Sequence, residues 1–349
     1  MEIKNLVFRA DSGDTVGWGH TIRCFALAKK FQEKNHKISF IVKKYPNHIS
    51  NFLEKQGFDI FYLNNKQYYW KSDAKQTQKI IQKIGDVDFL IVDNYRLKIK
   101  WEKFLKPHVK KLIVIDDMTL RNHECDLLLD QNYYENTEKL YSKLIPKECR
   151  LLIGPKFALI RDEFYQKRKK RKKRDGEINR ILVSFGGSNY IDDIIKTMNG
   201  IKGLKNNKIK VDLLIPNSNK DDMKIQKLFS KFVNITIHHK NFNMSELMNQ
   251  ADLSIGAGGS STWERCCLGL PSIVSIFAKN QLQLTEEMAK YGFVINLGMS
   301  KKISSQDYTD AIKNLNKFIL SQMSKNGLKL VDGKGTLRVA KEMLNLLEQ

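Results

Sequence analysis

Two short runs, FLIVD (89–93) and KLIVIDD (111–117), constrain the fold most: each is β-branched, apolar through most of its length, and ends in aspartate. A strand with one wet face alternates apolar and polar residues, whereas a run apolar at every position must be covered on both faces. That is the situation of a parallel sheet with helices on both sides, whose strands deliver polar residues at their carboxyl ends. NLVFRA (5–10), KISFIVK (37–43), IFYLN (60–64) and CDLLLDQN (125–132) read as further strands. Between them, TIRCFALAKKFQEK (21–34) places Ile22, Phe25, Ala26 and Phe31 near helical spacing. After eight consecutive basic residues, KRKKRKKR (167–174), the alternation restarts. RILVSFGGSN (180–189), KVDLLIP (210–216), NITIHHK (234–240), DLSIGAGGSS (252–261) and PSIVSIF (271–277) read as strands. DDIIKTMNGI (192–201), SELMNQ (245–250), TWERCCLGL (262–270) and TLRVAKEMLNLLE (336–348) read as helices.

The fold class is therefore α/β, with two Rossmann-like domains facing a cleft. The expected boundaries are 1–166 and 177–335, joined by a basic linker at 167–176, with a C-terminal helix at 336–349 crossing back. Apolar residues make up 42% of the 349, enough for two cores. No apolar run reaches the roughly 20 residues of a membrane span, and the N-terminal run is far too short for a signal peptide. A cytoplasmic protein without stable membrane insertion is expected. Nothing in the sequence fixes an assembly. Five cysteines without a CxxC pair predict neither a disulfide framework nor a zinc site.

Removing the eight charges of the basic run from the net +22 leaves +14, so the whole chain is basic. Like charges in sequence repel and resist packing, which reads as a solvated linker. A nucleic-acid-binding protein built on this run is the alternative of another class. No dedicated nucleic-acid partner is expected, because aromatic residues do not interleave with the basic ones. A field of this sign also attracts nucleotides and other anions.

Three glycine turns follow strands. In GAGGSSTWE (256–264), Gly258 and Gly259 allow close backbone approach to a ligand, followed by Ser260, Ser261 and Thr262. Ser261 to Glu264 also fits a capping box, in which the glutamate only closes the helix start. A cap needs neither the two glycines nor the hydroxyl cluster, so a phosphate and ribose site with Glu264 accepting from the diol is the better reading. FGGSN (185–189), with Gly187 and Ser188, would face the same crevice. Neither loop is a Walker loop, and GWGHTI lacks the last glycine of a dinucleotide fingerprint, so NAD and ATP are disfavoured. The third turn, GWGH, sets Gly17 and Gly19 around Trp18 and places His20 on a helix's first turn. The positive end of the helix dipole there disfavours imidazolium, leaving a neutral base, with Arg9, Asp11 and Ser12 in the preceding loop. The bland alternative is a capping or core histidine.

These residues resemble a family. FRADSGDTVGWGHTIRC, VDNY (92–95), GPKFALIRDEF (154–164), ILVSFGGS (181–188), IGAGGSSTWERCCLGLPSIV and KNQ (279–281) appear in order, as in the UDP-2,4-diacetamido-2,4,6-trideoxy-β-L-altropyranose hydrolases of pseudaminic acid synthesis. The resemblance covers roughly residues 1–300. It implies a GT-B fold and metal-independent hydrolysis of a UDP-sugar substrate, releasing UDP and the free sugar, with no cofactor. It also implies His20 as base, Tyr95 as the tyrosine of the D-x-Y segment, Glu264 at the glycine-serine loop, and the pair Asn280 and Gln281. Asp11 is a further candidate for placing His20 or the substrate.

The residues themselves fit that chemistry. UDP leaves readily once amides and helix ends stabilise its charge, so one base activating water is sufficient. Direct attack by water inverts the anomeric carbon. A GT-B UDP-sugar glycosyltransferase, in which the histidine deprotonates an acceptor hydroxyl, is the alternative within the same fold.

Overall fold

The computed structural model describes residues 2–11, 18–43, 48–64, 69–118, 121–135, 140–186, 190–215, 228–229, 234–239, 242–278 and 281–348. They form two compact units: Met1–Arg161 with Lys334–Gln349, and Asp162–Gly333.

The first unit is a seven-stranded sheet of β1 (Asn5–Ala10), β2 (Lys37–Lys43), β3 (Asp59–Leu63), β4 (Phe89–Asp93), β5 (Lys111–Ile115), β6 (Leu127–Asp130) and β7 (Arg150–Ile153). Their order is β3-β2-β1-β4-β5-β6-β7, and every pairing is parallel. The strand order reverses between β1 and β4, which opens a crevice at the carboxyl ends of these two strands. Each sheet face has its own apolar core. Phe8, Phe40, Phe89, Ile113 and Leu127 serve one, while Val7, Leu90, Leu112, Leu128 and Trp101 serve the other. Double coverage explains why the β4 and β5 runs are apolar at successive positions.

Helix Gly335–Asn345 belongs to this first unit. Its Val339, Ala340 and Met343 join the core beside Phe25, Leu27 and Phe31 of helix Gly19–Gln32. Thr336 Oγ1 both accepts from the Ile160 amide, at 3.0 Å, and donates to its carbonyl, at 2.8 Å. A Cβ on Gly335 would come within 2.3 Å of the Ala158 carbonyl, so only glycine fits this approach.

The second unit holds six parallel strands, β8 (Arg180–Ser184), β9 (Lys210–Leu214), β10 (Ile235–His238), β11 (Leu253–Ala257), β12 (Ser272–Ile276) and β13 (Ile295–Met299), in the order β10-β9-β8-β11-β12-β13. Here the order reverses between β8 and β11.

The basic run is only partly the expected solvated linker, since residues 169–173 are exposed but others are bonded into the second unit, and the domain boundary shifts. The division falls between Arg161 and Asp162, and helix Asp162–Lys169 carries the start of the run inside the second unit. Arg168 donates to the carbonyls of Cys267, Val331 and Leu328 at 2.7, 3.1 and 2.8 Å. Arg174 donates to Ala251, Leu268, Gly269 and Met248 at 2.7–3.2 Å. Lys172 Nζ pairs with Asp252 at 2.6 Å, and Lys167 pairs with Glu246. Helix C-termini expose unpaired carbonyls that favour cations, and these side chains satisfy them. Sequence charge alone does not distinguish such a clasp from a tail.

Candidate active site

His20 is the second residue of helix Gly19–Gln32, which starts beyond the carboxyl end of β1. It is buried, and its Nδ1 lies 2.6 Å from Asp93 Oδ1 at the carboxyl end of neighbouring β4. A carboxylate at that distance accepts from Nδ1–H, so in a neutral imidazole Nε2 would be the acceptor. Arg23, one turn along the same helix, grips Asp93 with Nε at 2.6 Å and a terminal nitrogen at 2.7 Å. Its other terminal nitrogen reaches Asp117 at 2.6 Å, and the Tyr95 hydroxyl donates to the second Asp117 oxygen. The Tyr95 ring stands edge-on to His20 with centroids 4.4 Å apart.

Five side chains thus converge at the switch point of the first sheet. Burial alone would raise the Asp93 carboxyl, but Arg23 and His20 more than offset it and hold it well below the ordinary range. Asp117 is lowered in the same way, burial being outweighed by Arg23. Burial and the adjacent Asp117 keep the Tyr95 phenol protonated. Asp93 is therefore a permanent anion that orients the imidazole, as the aspartate of a catalytic triad does.

A second network supports Tyr95 from below. Arg121 donates to the Tyr95 carbonyl and pairs with buried Asp116, whose carboxylate also accepts from His123 Nε2 at 2.8 Å. His123 Nδ1 faces Glu102 at 2.8 Å. Burial opposes its charge, yet the two carboxylates raise the imidazole to about 9.

Arg9 and Asp11 do not join the histidine. Arg9, read with Asp11 in the loop before the histidine, lies within β1; it is 0% exposed, bidentate to Asp11 at 2.6 and 2.8 Å and paired with Asp73 at 2.7 Å. Asp11 also accepts from Asn94 Nδ2 and the Lys43 amide, at 2.8 and 3.1 Å. This pair ties β1 to β2 and to Asn94 after β4. Gly19 is simply the first helical residue. Gly17, Gly187, Ser188 and Asn280, like Ser12, lie outside the described residues.

In the second unit, β8 runs into Phe185 and Gly186, and the adjacent β11 runs into Gly258, Gly259 and Ser260. Helix Ser261–Cys267 starts one residue too early for the capping box, since Ser261 is its first residue and Ser260 makes no side-chain cap bond. The amide of Gly258 donates to Ser275 O and that of Thr262 to Gly259 O. A diphosphate on this loop would therefore meet the amides between them, Gly259 to Ser261. Thr262 is 3% exposed and its hydroxyl accepts from Arg265 at 2.8 Å, so its side chain is turned inward. Gln281 is drawn to the loop: its Nε2 is 3.8 Å from where a Gly259 Cβ would stand, and its Oε1 accepts from the Phe277 amide at 3.0 Å. Glu264 is buried on the same short helix.

Among the described residues no three His, Cys, Asp or Glu side chains are grouped to hold a metal ion, and no helix is long and apolar enough to cross a membrane.

Residues 181–332 match the glycosyltransferase family 28 C-terminal domain. The match lies within the second unit. The chain is 25% identical to the UDP-2,4-diacetamido-2,4,6-trideoxy-beta-L-altropyranose hydrolase of Campylobacter jejuni over 290 residues, 83% of this chain and 98% of the relative. It is 23% identical to the spore coat polysaccharide biosynthesis protein SpsG of Bacillus subtilis, across 97% and 98% of the two chains. The resemblance read from the motifs is borne out by the first of these. The crystal structure of Acinetobacter baumannii MurG superposes on 98% of this chain and 99% of its own, with a TM-score of 0.68 at 12% identity. That likeness shows the fold: two Rossmann-like units of the GT-B type. The second unit's carboxyl-end glycine loops, β8 to Gly186 and β11 to Gly259, both fall within or at the edge of the matched family 28 domain.

Proposed function

We propose that this chain is an enzyme that hydrolyses a UDP-linked diacetamido-trideoxy sugar in pseudaminic acid biosynthesis, releasing UDP and the free sugar. The observation that carries the reading is the His20–Asp93 pair, in a chain that aligns with a hydrolase named for this substrate over most of both sequences. Asp93 holds the Nδ1 proton, and Nε2 takes one from the attacking water. Water adds to the anomeric carbon as the bond to the UDP oxygen breaks, with inversion. UDP departs with its own negative charge and needs no protonation by the enzyme. Tyr95 fixes the imidazole plane through its ring and is itself held by Asp117.

The second unit supplies the UDP site in this reading. Amides of Gly259 to Ser261 meet the phosphates, Glu264 accepts from the ribose hydroxyls, and Gln281 lies beside the loop. The chain works in the cytoplasm without a metal. Incubation with a panel of UDP-sugars, scored for UDP release without any acceptor, tests the proposal. Release from the diacetamido-trideoxy substrate supports it; release that requires an added acceptor alcohol makes the chain a transferase instead.

A further inference from the structure

Three arginines are buried among the described residues: Arg9, Arg23 and Arg265. The first two are each bonded to two carboxylates, Arg9 to Asp11 and Asp73, Arg23 to Asp93 and Asp117. Arg265 is different. It is 2% exposed, and one terminal nitrogen donates to the Ala257 carbonyl at 2.9 Å and to Thr262 Oγ1 at 2.8 Å. Its Nε is buried without a partner. Glu264, its neighbour in sequence, attracts it through space, yet burial dominates and lowers the guanidinium to about 10, still protonated at neutral pH. A buried charge without an ion pair is expensive, and a protein that keeps one has a use for it.

The position of this charge points to the use. Ala257 and Thr262 flank the Gly258–Ser261 loop, so one guanidinium is tied to both ends of it. It also packs at the reversal of the sheet. A Cβ on Gly256 would lie 2.0 Å from the Ser184 carbonyl of β8 and 3.3 Å from an Arg265 terminal nitrogen. Thr285 Oγ1, buried and without a partner, stands 2.3 Å from where a Gly258 Cβ would be. Orphaned polar atoms therefore approach the loop from two sides.

We propose that Arg265 is a positioning residue for the diphosphate of the ligand, its positive charge left without a carboxylate because the bound phosphates complete it. This rests on reading the Gly258–Ser261 loop as the UDP site. Attraction between a buried cation and a nearby dianion is strong in a low-dielectric setting and little screened by salt.

The test compares UDP with uridine, which lacks the phosphates, by calorimetry on the wild type, Arg265→Met and Arg265→Gln. The expected result is that both variants lose about tenfold or more in UDP affinity while uridine affinity stays within about twofold. Without ligand, Arg265→Met should melt no lower than the wild type, since an apolar side chain of similar length relieves the unpaired charge. If Arg265→Met fails to fold, Arg265→Gln, which keeps a donor for the Ala257 carbonyl, carries the same comparison. UDP affinity unchanged in the variants overturns the role of Arg265 alone. Equal losses for UDP and uridine overturn it too, in favour of a scaffold role. A wild type without UDP affinity overturns the loop reading and this proposal together.

Discussion

Asp93 Oδ1 lies 2.6 Å from His20 Nδ1, and its other oxygen lies 2.6 Å from Arg23 Nε. One carboxylate thus fixes the tautomer of the imidazole and anchors the helix that carries it.

The two halves of that relationship separate by mutation. His20→Asn removes the base and should lower turnover by ~10²–10⁴ with UDP affinity and melting temperature near those of the wild type. Asp93→Asn should lower turnover by a similar ~10²–10⁴ and also destabilise the fold, because Arg23 loses a buried charge partner. Single-turnover rates and thermal melts of both variants check this. Near-native turnover in His20→Asn would make His20 a structural residue.

Glu264 provides a second discrimination. With no capping box at Ser261, Glu264→Ala should weaken UDP binding by roughly tenfold or more and shift the melting temperature by only a few degrees. A large loss of stability with unchanged UDP affinity would return Glu264 to a purely structural role.

His123 sets a stability profile. Its folded imidazole is raised to about 9, above the ordinary ~6.5 of the unfolded chain. The stabilisation is therefore fully present below about pH 6.5 and is lost as pH rises through about 9, up to about 3 kcal/mol. Urea titrations between pH 6 and 10 should show this fall, and His123→Gln should flatten it. A wild type equally stable at both ends would contradict the charged imidazole between Glu102 and Asp116.

Arg174 tests the clasp. Truncation to alanine strands four carbonyls that its guanidinium now satisfies. The second unit should lose about 3 kcal/mol, measured by chemical denaturation. Exchanging Lys170 for serine should cost within about 0.5 kcal/mol.

The strands were legible because double coverage writes itself into composition: β1, β4, β5, β8 and β11 begin within a residue or two of their apolar runs. The strands β7 and β13 carry no such signal, since RLLI is short and INLGM is only half-buried and interrupted by glycine. His20 stood out through its glycine turn. Its partners were half visible: aspartate at the ends of FLIVD and KLIVIDD announced carboxylates at the crevice, but nothing local says that Arg23 would bridge Asp93 to Asp117. Arg9 has the same limit: Asp11, two residues on, is a local partner, but Asp73, 64 residues away, is not marked by anything near Arg9. Pairing across such separations is the information that periodicity cannot carry.

Helix Gly335–Asn345 gives Val339, Ala340 and Met343 to a core that otherwise comes from residues before 162. During synthesis, the ribosome delivers the whole of residues 162–333 before that helix appears. The later-made unit is contiguous and can mature first, while the earlier-made one waits with an apolar groove along helix Gly19–Gln32 uncovered. Chaperone dependence and sensitivity to premature termination should therefore concentrate in the part of the protein that is translated first.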